Sequence, residues 1–380
     1  MATNVSQSAA EAASRPMSEE ADFLQIKSID HVHFYVGNAK HAMYYWWKAF
    51  GFKPVAYSGL ETGNRAFASY VLQSGQARFV VSAAYSPTHE IAAHHLVHGD
   101  GVKVIALEVD DVEKAWRETT SRGGKSAWAP REEKDDHGIY RTSAIQAYGE
   151  TLHVFVDRDD YKGVFAPTYR PISYEAESAG LAALDHIVGN VQLGKMNEWV
   201  NFYHQVMGFR QLLHFDDKDI STEYSALMSK VMQNGNGRVK FPINEPAEGR
   251  KKSQIEEYLD YYLTPGVQHI AIITGDIIGA VENLRSRGVE FLRVPDTYYE
   301  MLPDRVGSIK EDMKAIHDLG ILVDRDDEGY LLQVFSRPIQ DRPTMFVEVI
   351  QRHGSQGFGK GNFRALFESI EMEQERRGNL

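Results

Sequence analysis

Two histidines and one glutamate in the C-terminal half of the chain have side chains that could together hold a metal ion. His186 and His269 lie in apolar stretches that read as strands, and Glu348 is the one acid in the apolar run 345–350. An ionised carboxylate in a buried strand is costly unless a cation or another partner compensates its charge. Two imidazoles and a carboxylate form the facial triad of non-haem iron(II) oxygenases, which leaves positions open for substrate and dioxygen. The separations of 83 and 79 residues match no local motif, so core histidines and a salt-bridged glutamate remain the alternative.

The segments that must form the elements positioning these side chains belong to an internal sequence repeat. Three pairs of segments correspond in the same order: 29–52 with 184–209, 101–106 with 266–271, and 149–155 with 329–335. In each copy an Asp-His pair begins a strand, and the amphipathic stretch after it closes on a glycine, Gly51 or Gly208, as helix C-termini often do. The repeat predicts an α+β fold of two tandem domains, 26–172 and 180–380, separated by a segment rich in Pro, Ser and Glu.

The two copies differ at one position that bears on function. The N-terminal copy keeps His31 but has Val104 where the C-terminal copy has His269. A purely structural pair of histidines would have no reason to be confined to one copy. The difference therefore favours a metal triad in the C-terminal half and a structural or relic role for His31.

Length and composition exclude several classes of protein. The 380 residues are enough for two domains, and 41 basic against 53 acidic residues give a net charge of −12, which argues against nucleic-acid or anionic-lipid binding. No apolar run approaches the roughly 18 residues of a membrane span. Residues 1–25 carry no apolar signal core and are predicted to be a disordered arm. The absence of cysteine excludes disulfides and thiolate sites, and we expect a cytoplasmic protein.

The chain also contains a cluster of three histidines and, near its C-terminus, a glycine-rich segment followed by an amphipathic stretch. His94, His95 and His98 place imidazoles four residues apart on a possible helix, but with no carboxylate at a ligand spacing we expect mostly exposed surface. The segment 363–377 has the apolar spacing of an amphipathic helix, with Asn362 as its expected N-cap. The glycine-rich segment before it, 357–361, reads as a hinge, so this helix is predicted to be a lid over the site.

Five short motifs together resemble the 4-hydroxyphenylpyruvate dioxygenase family, and the likeness extends from about residue 28 to the C-terminus. They are Gly357–Phe363 (GFGKGNF), Asp341–Thr344 (DRPT), Pro242–Pro246 (PINEP), Lys252–Gln254 (KSQ) and Gly266–His269 (GVQH). The resemblance implies the vicinal-oxygen-chelate fold, in which paired βαβββ modules form half-open barrels. It also implies one Fe(II) per subunit on His186, His269 and Glu348, and usually a homodimer or homotetramer. The implied reaction converts 4-hydroxyphenylpyruvate and O2 to homogentisate and CO2 in tyrosine breakdown.

The resemblance also assigns a substrate pocket. Its catalytic residues by the family pattern are Ser229, Asn244, Gln254, Gln333, Phe335 and Phe363, and its substrate-binding residues are Val188, Gln268, Phe346, Phe358, Asn362 and Leu366. Strand periodicity agrees for two of them, because Val188 shares a face with His186 and Phe346 with Glu348. Gln268 conflicts with this periodicity, since a residue next to His269 in a regular strand points to the opposite face.

Three alternatives to this activity remain open at the level of sequence, and one of them is an enzyme of the same fold that uses another metal. The first is 4-hydroxymandelate synthase, which is similar to this family, uses the same substrate and triad, and hydroxylates the benzylic carbon instead of the ring. The bulky Phe335 and Phe363 favour ring hydroxylation. The second is a non-enzymatic ligand-binding protein of the same fold, which would not need a triad with open coordination positions.

Overall fold

The N-terminal half of the chain forms one mixed sheet of nine described strands. The computed structural model describes residues 22–215, 226–247, 249 and 251–379, so most of the predicted arm lies outside the described residues. Within its last residues Leu24 is buried in the core, and the packed chain therefore begins before residue 26. In sheet order the strands run β6-β7-β8-β5-β1-β4-β3-β2-β9. Their bounds are β1 Ser28–Tyr35, β2 Lys53–Ser58, β3 Phe67–Ser74, β4 Ala77–Ala84, β5 Gly101–Glu108, β6 Ser126–Asp135, β7 Gly138–Gln146, β8 Leu152–Asp157 and β9 Arg170–Pro171.

The C-terminal half forms a second mixed sheet, of eight described strands. Its order is β11-β12-β13-β10-β14-β17-β16-β15. The bounds are β10 Leu181–Asn190, β11 Arg210–Phe215, β12 Ala226–Gln233, β13 Lys240–Ala247, β14 Gly266–Thr274, β15 Leu322–Arg325, β16 Tyr330–Phe335 and β17 Phe346–His353. One large apolar core runs through both halves and joins them.

Ten described α-helices cover and connect the sheets. They are α1 Ala39–Lys48, α2 Glu90–His98, α3 Val112–Ser121, α4 Met196–Gln205, α5 Gln254–Tyr262, α6 Ile277–Ser286, α7 Asp296–Glu300, α8 Leu302–Val306, α9 Met313–Leu319 and α10 Phe363–Arg377. Among the described residues none of these helices has the length and apolar content needed to cross a bilayer. As the repeat predicted, a glycine follows the end of each of these helices: Gly51, with φ of +72°, comes three residues after α1, and Gly208, with φ of +69°, three residues after α4. This left-handed conformation costs glycine little.

Strand pairing repeats between the halves, which confirms the α+β fold of two curled sheets predicted from the sequence. In the first half β1 pairs in parallel with β4 and antiparallel with β5, and β5 pairs in parallel with β8. In the second half β10 pairs in the same way with β13 and β14, and β14 pairs with β17. Three of the four modules are a strand, a helix and three strands, and the fourth has the four helices α6 to α9 in the place of the single helix. The two helices that link modules within a half, α2 and α5, occupy equivalent places in the order of elements.

Candidate metal centre and substrate pocket

The three predicted ligands lie on neighbouring strands in the middle of the C-terminal sheet. His186 is on β10, His269 on β14 and Glu348 on β17. The register places Ala271 of β14 directly opposite both His186 and Glu348, so these side chains project from one face. Their ligand atoms lie within 4.8 Å of one another, and all three residues are buried. Residues separated by about 80 positions along the chain therefore converge on one point.

The separations between these atoms fit a shared metal ion. Glu348 Oε2 lies 3.2 Å from His186 Nε2 and 3.3 Å from His269 Nε2. Two ligand atoms that each lie about 2.0–2.2 Å from one first-row cation, at cis or tetrahedral angles, are about 2.8–3.6 Å apart. Two imidazole nitrogens and a carboxylate oxygen also form a donor set that first-row metals accept. This cluster could hold a metal ion.

The charge of the cluster is set by burial and by its own neighbours. Burial alone would raise the pKa of Glu348, but His186 and hydrogen bonds from both histidines outweigh burial and lower this pKa to about 2. Burial lowers the pKa of His269. Burial also lowers the pKa of His186, but the carboxylates of Glu348 and Asp185 outweigh burial, and the pKa of this histidine is raised. The site thus holds an ionised carboxylate in a buried position.

A carboxylate and an arginine behind His186 hold its ring in place. Asp185 Oδ2 lies 2.7 Å from His186 Nδ1, and Arg352 donates to both oxygens of Asp185 at 2.8 Å. Arg352 also donates to the carbonyl of Gly357 at 2.6 Å, at the beginning of the glycine-rich segment. Such a carboxylate keeps the imidazole proton on Nδ1 and leaves Nε2 free to bind a metal.

Glu348 is held by a second chain of hydrogen bonds that leads to the terminal helix. Gln333 Nε2 donates to Glu348 Oε1 at 2.9 Å, and Asn362 Nδ2 donates to Gln333 Oε1 at 2.9 Å. Asn362 Oδ1 in turn accepts from Tyr298 at 2.7 Å and from Arg305 at 3.0 Å. The prediction that Asn362 caps α10 is therefore wrong in one respect: it stands at the N-cap position, but its side chain makes no capping bond because it is used here.

A cavity lies against the cluster, between the sheet and α10. Of the twelve predicted pocket residues, all but Asn362 line it, and Asn362 is buried behind Gln333 instead. Phe346 stacks on His269 with ring centres 4.8 Å apart, and Phe358 meets His186 edge-on at 4.9 Å. No Arg or Lys occurs among the described lining residues, so the cations at this site would come from the metal.

Gln268 lines the cavity although strand alternation predicts that it faces away. In the β10–β14 pairing Val188 is opposite His269 but Gly189 is opposite Val267, so Gln268 is an extra residue, a β-bulge. The bulge turns Gln268 towards the face of His269, where its Oε1 lies 2.9 Å from His269 Nδ1. The expectation from alternation was wrong, and Gln268 lies in the cavity wall. Its role in substrate binding stays a prediction from the family pattern.

Sequence reasoning missed five lining residues. They are Phe215, Leu227, Val231, Pro242 and Phe367. Period-2 spacing from the predicted Ser229 and Asn244 could have found Leu227, Val231 and Pro242. Phe215 lies opposite Ser229 across β11 and β12 and packs edge-on against Phe363, so only the strand register reveals it.

The prediction that His94 and His98 lie on exposed surface is wrong. His94 is 4% exposed and His98 is 0% exposed, on the inner side of α2. A carboxylate is also present, since Glu150 Oε2 lies 3.5 Å from His98 Nε2. The parallel pairing of β5 with β8 brings this residue next to α2 from 52 positions away, which no spacing rule would find.

Comparison with known proteins finds relatives over nearly the whole chain. A sequence profile described as the Glyoxalase/Bleomycin resistance protein/Dioxygenase superfamily matches residues 28–162 and 183–334. The 4-hydroxyphenylpyruvate dioxygenase of Aspergillus fumigatus is 47% identical over 379 residues, covering 93% of this chain and 94% of its own. That of Dictyostelium discoideum is 47% identical over 370 residues, covering 93% and 100%. Among solved structures, a mutant of 4-hydroxymandelate synthase from Streptomyces coelicolor superimposes with a TM-score of 0.82 at 29% identity, covering 92% and 99%.

Proposed function

The chain belongs to the 4-hydroxyphenylpyruvate dioxygenase family, and we propose that it converts 4-hydroxyphenylpyruvate and O2 to homogentisate and CO2. The family resemblance found in the sequence motifs is therefore confirmed, and the protein is an enzyme. The observation that carries the site of this reaction is the convergence of His186, His269 and Glu348 at the wall of a cavity lined by aromatic side chains. In this reaction one oxygen atom enters the ring and the other enters the new carboxylate, while the original carboxylate leaves as CO2.

We assign the metal as one Fe(II) per subunit, held by the two histidines and the glutamate. When bound, the iron supplies the redox chemistry with dioxygen and a positive charge for the 2-keto acid arm of the substrate. Because one carboxylate ligand leaves a surplus charge of one, a singly charged keto acid makes the site neutral without an arginine in the wall. Asp185 and Gln333 orient His186 and Glu348 for this role through their hydrogen bonds.

The cavity walls position the aromatic ring of the substrate. Phe335, Phe358 and Phe363 provide apolar surfaces that fit a flat ring. Ser229 and Asn244 are cross-strand partners on β12 and β13, and they present a hydroxyl and an amide to the same cavity. Together with Gln254 at the first turn of α5, these neutral groups offer donors and acceptors for the phenol hydroxyl at the far end of the ring.

Helix α10 is proposed to act as a lid that keeps water out of the cavity. Phe363, Leu366 and Phe367 project from it into the cavity wall, and the glycine-rich segment before it contains Gly359 with φ of +74°. A lid closed over the substrate favours productive oxidation because water and stray protons are excluded from the reacting centre.

The competing activity is benzylic hydroxylation to 4-hydroxymandelate. It has to be tested because the structure is similar to that of 4-hydroxymandelate synthase. The deciding experiment incubates the purified protein with Fe(II), O2 and 4-hydroxyphenylpyruvate and identifies the aromatic product by mass spectrometry and NMR. Homogentisate supports the proposal, 4-hydroxymandelate selects the alternative, and no turnover by the iron-loaded protein favours a ligand-binding protein.

The two halves of the chain have different proposed roles. We propose that residues 180–380 form the catalytic barrel and that residues 26–172 form a barrel without an iron site of this kind, since Val104 stands where the second histidine would be. A role in tyrosine breakdown, a homodimer or homotetramer, and a cytoplasmic location stay predictions from the sequence.

A further inference from the structure

A second group of metal-ligand side chains lies far along the chain from the catalytic triad. His94 and His98 project from successive turns of α2, and Glu150 lies in the turn between β7 and β8. Their ligand atoms lie within 4.8 Å of one another, and the two imidazole rings are 4.5 Å apart between centres. The histidines are buried, whereas the side chain of Glu150 is 47% exposed, so one side of the group is open to solvent.

The ring of His98 is held so that its Nε2 faces the carboxylate of Glu150. Its Nδ1 lies 2.5 Å from the carbonyl oxygen of Tyr262, which only accepts, so Nδ1 carries the proton and donates. In the neutral ring the opposite nitrogen, Nε2, then has a lone pair, and this atom lies 3.5 Å from Glu150 Oε2. Two acceptors at this distance repel each other unless a proton or a metal cation lies between them. A backbone carbonyl that fixes the far nitrogen is also the usual support of a metal-binding histidine.

His94 has two buried nitrogens without a hydrogen-bond partner among the described residues. In its neutral form the His94 ring carries one lone pair, on the nitrogen that has no proton. Buried polar atoms in folded proteins are nearly always paired, and each exception calls for an explanation such as an ion. A cation bound beside His98 would satisfy the nitrogen of His94 that bears the lone pair.

We propose that His94, His98 and Glu150 form a second divalent-metal site, of the kind that takes Zn²⁺ with water as a fourth ligand. Zinc accepts imidazole nitrogen and carboxylate oxygen at about 2.0–2.2 Å, and tetrahedral ligand atoms at this distance are about 3.3–3.5 Å apart. The observed 3.5 Å between His98 Nε2 and Glu150 Oε2 matches this value. The open side of the group at Glu150 gives access to the water ligand.

The site would join the two halves of the molecule. His98 belongs to the N-terminal half, and its anchor, the Tyr262 carbonyl, ends α5 of the C-terminal half. At the other end of α5 is Gln254, which lines the substrate cavity. A metal here would therefore brace the helix that carries a substrate contact, without itself touching the catalytic triad. This inference does not depend on the proposed reaction.

One contact opposes metal binding, and its removal has a predicted direction of effect on zinc affinity. Lys103 Nζ lies 3.3 Å from Glu150 Oε2, so its charge competes with any cation for this carboxylate. Replacing Lys103 with Met should therefore tighten zinc binding if Glu150 is a ligand, and Glu150→Gln should weaken it. Because Glu150 is half exposed, its substitution should leave the fold intact, which circular dichroism can check.

The experiment titrates the full-length protein with Zn²⁺ by isothermal calorimetry, in a His269→Ala background that disables the catalytic triad. We expect one zinc per chain, a dissociation constant raised at least about 10-fold by Glu150→Gln or His98→Gln, and a tighter site with Lys103→Met. His95→Gln is the matched control, because this neighbouring histidine pairs with Asp100 outside the group. No zinc bound, or zinc binding that Glu150→Gln leaves unchanged, would overturn the proposal.

Discussion

Replacing Gly359 with alanine should disturb the metal centre from outside the cavity. Gly359 has φ of +74°, and a Cβ built on it would overlap Gln333 Oε1 and lie 3.2 Å from Asn362 Nδ2. Gln333 is 3% exposed and is held between Glu348 and Asn362, so it can move away only by giving up these hydrogen bonds. The change therefore reaches Glu348 through one intervening side chain.

The size of the effect can be separated into two parts with a matched control. Gly378 closes the other end of α10 with φ of +72°, and a Cβ there meets nothing within 4 Å. Alanine in this left-handed conformation costs about 1–2 kcal/mol of unfolding free energy at either position. At Gly359 the broken Gln333 bonds add about 1–3 kcal/mol, because buried amide groups lose their partners.

Urea unfolding of both variants and steady-state turnover of the iron-loaded proteins measure these effects. We expect Gly378→Ala to keep its kcat/KM, and Gly359→Ala to lose about 10–100-fold, the usual cost of removing support from a metal ligand. If Gly359→Ala matches Gly378→Ala in both stability and turnover, Gln333 does not hold Glu348 in the way its contacts indicate.

Three other predictions follow from single contacts. Phe363→Ala should weaken ring binding and uncouple oxygen consumption from product formation, and unchanged coupling in an oxygen electrode would count against the lid. Arg352→Gln should reduce Fe(II) affinity about 10–100-fold by freeing Asp185, whereas Arg364→Gln on the surface should not. Burial lowers the pKa of His153 from 6.5 to about 4. Between these two pH values the unfolded chain carries a proton on His153 that the folded chain lacks, so the free energy of unfolding falls as the pH drops from 6.5 to 4. His153→Phe should reduce this loss of unfolding free energy by up to about 3 kcal/mol, as measured by denaturant unfolding at several pH values between 7 and 4.

The sequence alone was sufficient for those properties that depend on local periodicity or on a whole-chain pattern. The repeated segments predicted two α+β halves, because each copy carries its own strand and helix signals. The unequal distribution of His31, Val104 and His269 between the copies pointed to the half in which the histidine pair lies. The family resemblance named twelve pocket residues, and eleven of them line the cavity, while their roles in binding and catalysis stay predictions.

Tertiary structure alone decided features that depend on register and on contacts between distant segments. A bulge that shifts β14 by one residue turned Gln268 towards the cavity, and alternation assumes that no such shift occurs. Asn362 bonds to Gln333 instead of capping its helix, since a partner 29 residues away competes with the local backbone. Glu150 reaches His98 only because β5 pairs with β8. In each case the deciding energy comes from a hydrogen bond or ion contact between chain segments whose proximity exists only after folding.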